Sequence, residues 1–346
     1  MGEPDTIKEI RRLEDAVRGH INTHRYQAEL LKNSSTWNQI CSSLDVIDDA
    51  LYAIGSYLST DFPEDTGLKY IYSYGLLQAL FLQQDALKHL AEAFRLKYAA
   101  SDTLMAIRTV RNASIGHPTQ NKHGGTCYHN FISRITMSKE GFDLLRCYGA
   151  REYECLRVNL LTLITDQLKG IKEGYEQIAQ KLNEEDRMHK EKFKGTPTSD
   201  IFHSAMGYCF EKIGGGIHSA SGSDRTFGLL QLRSVKETYE KFETALRERN
   251  ELNSYIEYDL KEYSHALNRL ESYLTGESTG MEEADARIYL SYLRQEHTRF
   301  VQLAQEVDDS YQELPKPKPR RQKAIKAIKV QIVGVGDKGD RNRETT

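Results

Sequence analysis

The residues of this chain best suited to chemistry are an arginine and a histidine near the end of a predicted helix. Residues 104–115 have helical spacing, with Arg111 close to the end, and Gly116, His117 and Pro118 follow. A guanidinium binds phosphate or carboxylate groups through paired hydrogen bonds, and an imidazole transfers protons near neutral pH. The pair therefore predicts a site that binds an anion and moves a proton.

Arg111 stands where the helical pattern requires an apolar residue. Leu104, Ile107 and Arg111 share one helix face at spacings of three and four. A cation that points toward a core without a partner costs several kcal/mol. The preceding predicted helix, 66–98, offers partners because polar residues interrupt its apolar seam. We therefore expect a polar cluster of Gln84, Asp85, Arg111, Asn112 and His117. Arg108, one turn before Arg111, would either extend the positive edge or face the solvent.

The same residues also allow a purely structural interpretation. Arg111 would pair with Asp85 to fix helix packing, and His117 would interact favourably with the dipole at the helix end. For an isolated arginine and histidine this interpretation is the better one. The order Arg-Asn-Ala-Ser-Ile-Gly-His-Pro over 111–118 favours a site with chemistry.

This order resembles the signature of the HEPN family, which are compact helical bundles. Their mark is an arginine, often followed by a polar residue such as asparagine, with a histidine four to six positions further on. Here five residues separate Arg111 from His117, and Asn112 fills the polar position. The surrounding segment, 107–118, looks like the subset of the family with an "RN...GHP" signature, and the resemblance covers roughly residues 35 to 150.

The resemblance implies a metal-independent endoribonuclease that acts as a homodimer, without a cofactor or a metal. His117 would be the acid/base residue, Arg111 would bind the phosphate, and Asn112 would orient them through a hydrogen bond. Supporting residues would be Gln84, Asp85 and Arg108. A role as a toxin or as a phage-defence or stress effector is the family analogy. The alternative is a non-catalytic HEPN-like interaction or dimerisation module, in which the same residues only maintain structure.

The hydrophobic pattern predicts a mainly all-α fold. Helices are predicted at 5–32, 36–59, 66–98 and 101–115. Residues suited to cap a helix precede three of them, at 34–36, 65–66 and 101–102. The period then changes to strand-like alternation, which predicts a β-hairpin near 128–148.

The remainder of the chain predicts long helices and a basic tail. Apolar seams with spacings of three and four indicate a bundle or coiled coil over 151–314, which we also regard as a surface for a regulatory protein partner. Gly214, Gly215 and Gly216, together with 219–223, predict a flexible loop. The predicted regions are therefore a HEPN-like bundle at 1–150, a long-helix region at 151–314, and a tail at 315–346.

Charge and composition limit the kind of partner. The tail holds ten basic and three acidic residues and so has a net charge of +7. Because the net charge of the whole chain is −3, residues 1–314 have a net charge of −10. An acidic body predicts that RNA is bound through a local patch, although the tail also fits a solvated linker. We expect a cytoplasmic protein without a membrane span, because no apolar stretch is long enough, and the five scattered cysteines predict reduced thiols.

Overall fold

The computed structural model describes residues 4–123, 126–148, 153–219, 222–277 and 280–312, and this part of the chain is mainly helical. The first helices are α1 (Asp5–Ile21), α2 (His24–Leu31), α3 (Ser34–Ser59), α4 (Thr66–Ala93) and α5 (Asp102–Arg111). The all-α prediction is confirmed at this level. None of the described helices has an apolar stretch long enough to cross a bilayer.

The caps of these helices agree with the sequence pattern. The Asp65 carboxylate accepts a hydrogen bond from the backbone N–H of Leu68 at 2.9 Å, at the start of α4. The hydroxyl of Ser101 accepts from the N–H of Leu104 at 3.3 Å, at the start of α5. Such caps satisfy N–H groups that have no partner inside the helix. They fix where α4 and α5 begin.

The prediction of a single helix over residues 5–32 was wrong. The chain turns at Asn22 and Thr23, where the backbone of Thr23 is extended, and α2 starts after it. This turn allows Arg25 to pair with Asp186 of a later helix, and the Tyr26 ring packs on His20 with centroids 4.1 Å apart. Tertiary contacts therefore interrupt a segment whose local pattern is helical throughout.

A small antiparallel sheet follows α5. Its strands are β1 (Asn121–His123), β2 (Thr126–Ile132), β3 (Gly141–Cys147) and β4 (Tyr153–Asn159), in the order β1-β2-β3-β4. The predicted hairpin corresponds to β2 and β3, and β1 and β4 are strands that the sequence did not predict.

One face of the sheet closes the first hydrophobic core. Phe142, Leu144 and Val158 are buried there. Gly141 has a φ of 152°, and a Cβ at this position would lie 1.9 Å from the carbonyl oxygen of Val158. Only glycine fits such a close approach between two backbones. The start of β3 therefore depends on that residue.

The long helix α6 (Leu160–Phe193) joins two hydrophobic cores. Ile164, Ile171 and Tyr175 belong to the first core, which continues to Leu182 and so extends past the boundary predicted near residue 150. Phe193, the last residue of α6, belongs to the second core. This one helix thus contributes to both cores.

The second core is a bundle of long helices. After a short 3-10 helix (Ser199–Ile201) come α7 (Met206–His218), α8 (Gly222–Glu248), α9 (Ser254–Thr275) and α10 (Glu283–Tyr311). The predicted apolar seam of α8 is buried, and aromatic rings fill the centre, with the Tyr239 and Tyr263 centroids 4.0 Å apart. The prediction of a basic tail at 315–346 lies outside the described residues.

The predicted glycine loop was wrong, because Gly214, Gly215 and Gly216 lie inside α7. A Cβ on Gly216 would stand 3.0 Å from the carbonyl oxygen of Asp224 and 3.2 Å from the Cα of Gly228 on α8. The small residues let two helix backbones approach closely, which overrides the low helix propensity of glycine. Gly222 and Ser223 of the predicted loop also lie in a helix, α8, whereas residues 220–221 are outside the described part.

This contact predicts opposite effects for two adjacent substitutions. Gly216→Ala should reduce the free energy of unfolding by about 1–3 kcal/mol, because the added methyl group meets backbone atoms that cannot move independently. Gly215→Ala is the matched control: it has no atom within 4 Å of an added Cβ, so it should stabilise by about 0.5–1 kcal/mol. Urea unfolding of both variants measures the difference, and equal effects would contradict the close packing of α7 on α8.

Candidate functional site

Arg111 is the last residue of α5, and its guanidinium is held against α4. The guanidinium carbon lies 4.3 Å from the centroid of the Phe81 ring. One terminal nitrogen donates to the Gln78 side-chain oxygen at 2.8 Å, and the other donates to the side-chain oxygen of Asn112 at 3.0 Å. The side chain is half-buried, so these contacts fix the plane of the guanidinium.

The positive charge of Arg111 is not neutralised by a carboxylate anywhere in the described part of the chain. Both of its side-chain acceptors are neutral amide oxygens. Its Nε atom is buried and has no acceptor among the described residues. A partly buried cation with only neutral partners attracts an anion more strongly than one in an ion pair. The arrangement is therefore suited to bind a phosphate group.

Arg108, one turn earlier on α5, is in the opposite electrostatic situation. Its guanidinium forms an ion pair with Asp85, and its Nε donates to the side-chain oxygen of Gln84 at 2.8 Å. Burial raises the pKa of the nearby Tyr98 hydroxyl, and the Arg108 charge only partly offsets this effect. The proposed Arg111–Asp85 pair is thus wrong, since Asp85 is bound to Arg108. The predicted extension of the positive edge by Arg108 is also reduced by that ion pair.

A wide turn follows Arg111 and places His117. The predicted helix to residue 115 ends as an α-helix at Arg111, and Asn112–Gly116 form a π-helical turn. The backbone N–H of His117 donates to the carbonyl oxygen of Asn112 at 2.7 Å. Because this bond spans five residues, His117 lies directly after one wide turn above Asn112. Its side chain is exposed to solvent.

Gly116 is required by the position of the guanidinium. A Cβ at this residue would lie 2.6 Å from a terminal nitrogen of Arg111 and 3.1 Å from the side-chain oxygen of Asn112. No alanine could occupy that place without displacing the arginine. The glycine between the two candidate catalytic residues is therefore part of the site.

The sheet holds the end of the motif loop. The backbone N–H of Asn130 on β2 donates to the carbonyl oxygen of Pro118 at 2.8 Å, and the ring of His129 contacts the carbonyl oxygen of Thr119. Asn130 is buried, and its side-chain oxygen accepts from Arg146 of β3 at 3.3 Å. Within the described ranges no three His, Cys, Asp or Glu side chains are grouped to hold a metal ion.

A network of buried glutamine side chains holds together the helices that bear the site. Gln84 donates to the Gln167 side-chain oxygen at 2.8 Å and to the carbonyl oxygen of Leu104 at 3.2 Å. Gln167 in turn donates to the Gln83 side-chain oxygen and to the Leu80 carbonyl oxygen, both at 3.0 Å. This network connects α4, α5 and α6 inside the first core. It explains the polar interruption in the apolar seam of α4.

The structure thus brings Arg111, Asn112 and Gly116 into contact and places His117 one turn away, while Gln84 and Asp85 contact Arg108 instead. A comparison with family models, curated proteins and solved structures finds no match to this chain. The HEPN resemblance therefore remains a prediction that rests on the motif.

Three residues of the site were not found from the sequence. Gln78 and Phe81 hold Arg111, and Gln167 completes the buried network. Gln78 and Phe81 are three residues apart on α4, so helical spacing could have placed them on one face. Nothing in the sequence indicated that this face meets Arg111. The sequence did offer one indication of Gln167, because it is a polar residue beside the apolar seam of α6.

The network predicts strong coupling between Gln84 and Gln167. Gln84→Leu leaves the Gln167 oxygen, the Leu104 carbonyl and the Arg108 Nε without this partner, and should cost about 2–4 kcal/mol of unfolding free energy. Gln167→Leu should cost a similar amount. The double variant should cost clearly less than the sum, because the two side chains no longer leave each other unpaired. Denaturant unfolding of the four proteins measures this, and additive costs would contradict a shared network.

Proposed function

We propose that this protein is a metal-independent endoribonuclease of the HEPN type. The observation that carries the proposal concerns Arg111. Its guanidinium is oriented by the neutral side chains of Gln78 and Asn112, so its positive charge is available to bind an anion. The exposed His117 follows within one wide turn. Arg108, one turn earlier on the same helix, is by contrast paired with a carboxylate.

The chemistry assigns one task to each residue. In RNA cleavage the 2'-oxygen attacks the adjacent phosphorus, the bond from phosphorus to the 5'-oxygen breaks, and a 2',3'-cyclic phosphate and a 5'-hydroxyl form. The 2'-hydroxyl loses a proton and the 5'-oxygen gains one, and the imidazole of His117 is suited to either transfer. Arg111 stabilises the charge that develops on the phosphorus oxygens. Asn112 keeps the guanidinium in its orientation.

Cleavage of labelled RNA in EDTA tests the proposal. The full chain should produce ends with a cyclic phosphate, and Arg111→Ala and His117→Ala should each reduce the rate at least about 100-fold, as expected for a lost acid/base or charge-stabilising group. Arg287→Ala and His89→Ala are matched controls at exposed positions outside the site and should cleave at the full rate. Equal RNA patterns in all samples would reject the nuclease.

Gly116→Ala is the sharper variant because it leaves both chemical groups present. The added methyl group meets the flexible end of Arg111, so the unfolding temperature should change little. Cleavage should nevertheless fall, because the guanidinium can no longer occupy its place between Gln78 and Gly116. Full activity of this variant would show that the guanidinium position is not important.

The surface beside Arg111 supports assembly with a second copy of this chain. Leu68, Ile71 and Leu82 form an exposed apolar stripe along α4, with 45%, 64% and 44% of their surface accessible. Helical spacing puts them on one side of Gln78, the residue that contacts Arg111. Exposed apolar stripes on helices mark interaction surfaces. A dimer through this stripe would place two copies of the site near each other.

A charge within the stripe should separate the chains. Leu82→Glu introduces a carboxylate at an exposed position, so folding should be maintained while association is weakened by tenfold or more. Cleavage per chain should fall and should recover at higher protein concentration. Leu230→Glu on α8 is the matched control, since Leu230 is also an exposed leucine. Analytical ultracentrifugation measures association, and a monomeric wild-type protein that cleaves RNA would overturn the dimer.

The alternative function is a non-catalytic interaction module in which α7–α10 bind a regulatory protein. The observation that favours it is an open groove between α9 and α10, lined by Lys261, Glu262, His265, Ile288, Tyr289 and Tyr292. Ile288 has 67% of its surface exposed. Under this alternative the RNA cleavage assay would detect no activity in any variant, so the same experiment separates the two functions.

A further inference from the structure

A tyrosine on α4 lies one helix turn from the glutamine that contacts Arg111. Tyr74 is four residues before Gln78, the residue that accepts a hydrogen bond from Arg111. Residues at this spacing lie on the same face of a helix, about 6 Å apart along its axis. Phe81, whose ring lies under Arg111, follows on the same flank. Tyr74 and Arg111 therefore face the same side of α4.

The ring of Tyr74 is both accessible and supported. Its exposed fraction is 40%, and the half-buried Tyr70 meets it edge to face with centroids 5.4 Å apart. The neighbouring Gly75 leaves open space, because a Cβ there would meet no atom within 4 Å. By contrast, Tyr72 packs against Phe62 at the margin of the first core. Of these three tyrosines, Tyr74 is thus the exposed one.

The surroundings favour stacking over a second ionic contact. Arg108, the nearest other arginine of α5, is occupied by Asp85 and by Gln84. A ligand bound at Arg111 and extending along α4 therefore meets an aromatic face.

We propose that Tyr74 stacks on an unpaired base next to the phosphate bound by Arg111, and so directs the site to single-stranded RNA. The inference rests on the proposed function. Aromatic side chains stack on bases of single strands with little sequence preference, whereas the bases of a duplex are already stacked on each other.

Fluorescence anisotropy with the full chain tests the inference. All variants carry His117→Ala so that the RNA remains uncut, and the probe is a fluorescein-labelled single strand of mixed sequence, alone or annealed to its complement. Tyr74→Ala should weaken binding of the single strand about tenfold, the loss expected for one stacked base. Tyr74→Phe keeps the ring and should bind within twofold of the parent. Tyr255→Ala, which removes another exposed tyrosine, is the matched control.

Several outcomes would overturn the stacking role. These are unchanged binding by Tyr74→Ala, an equal loss in Tyr74→Phe, or the same loss of affinity for the duplex. If the wild-type chain cleaves RNA and Tyr74→Ala binds normally, the stacking inference fails and the proposed function stands. If the wild-type chain neither binds nor cleaves RNA, both fail. Ultracentrifugation and thermal unfolding of Tyr74→Ala distinguish a lost base contact from a changed assembly or fold, and Tyr74→Leu, which also lacks the ring, takes its place if Tyr74→Ala does not fold.

Discussion

The geometry of the site depends on one buried amide. Gln84 uses both of its N–H groups and its oxygen, which contact Gln167 on α6, the backbone of α5 and the guanidinium of Arg108. A buried amide that loses any of these partners leaves a polar group unsatisfied, so the three helices are held in one relative position. The end of α5, which bears Arg111, cannot rotate without breaking this set of bonds. The core therefore determines where the guanidinium lies.

Two arginines one turn apart show how packing can separate structural from chemical roles. Arg108 and Arg111 both lie over the Phe81 ring, with guanidinium carbons 4.6 Å and 4.3 Å from its centroid. Asp85 neutralises the first, and amide oxygens hold the second. The acidic balance of residues 1–314 would by itself repel a polyanion. Arg111, which has no carboxylate partner among the described residues, provides a local exception within that field.

The sequence predicted those parts of the fold that follow from local chemistry. Asp65 and Ser101 are caps because their side chains satisfy the first N–H groups of a helix, and the apolar seam of α8 is buried because its spacing matches the helical period. Helical spacing also indicated that Arg111 faces the interior. It could not decide whether Arg108 or Arg111 binds Asp85, since both lie within reach of one face of α4. Nor could it place Gly216 in a helix, because the reason is the backbone of Gly228 on another helix.

The bond between Pro118 and Asn130 gives the motif loop a built-in reporter. The amide hydrogen of Asn130 is bonded to the carbonyl oxygen of Pro118, and Asn130 itself is buried. Exchange of this hydrogen with deuterated solvent requires that the loop separate from β2, at least transiently. Its exchange rate therefore measures how often the segment bearing His117 leaves the sheet. Molecules that hold the segment in place would slow the exchange, whatever surface of the protein they contact.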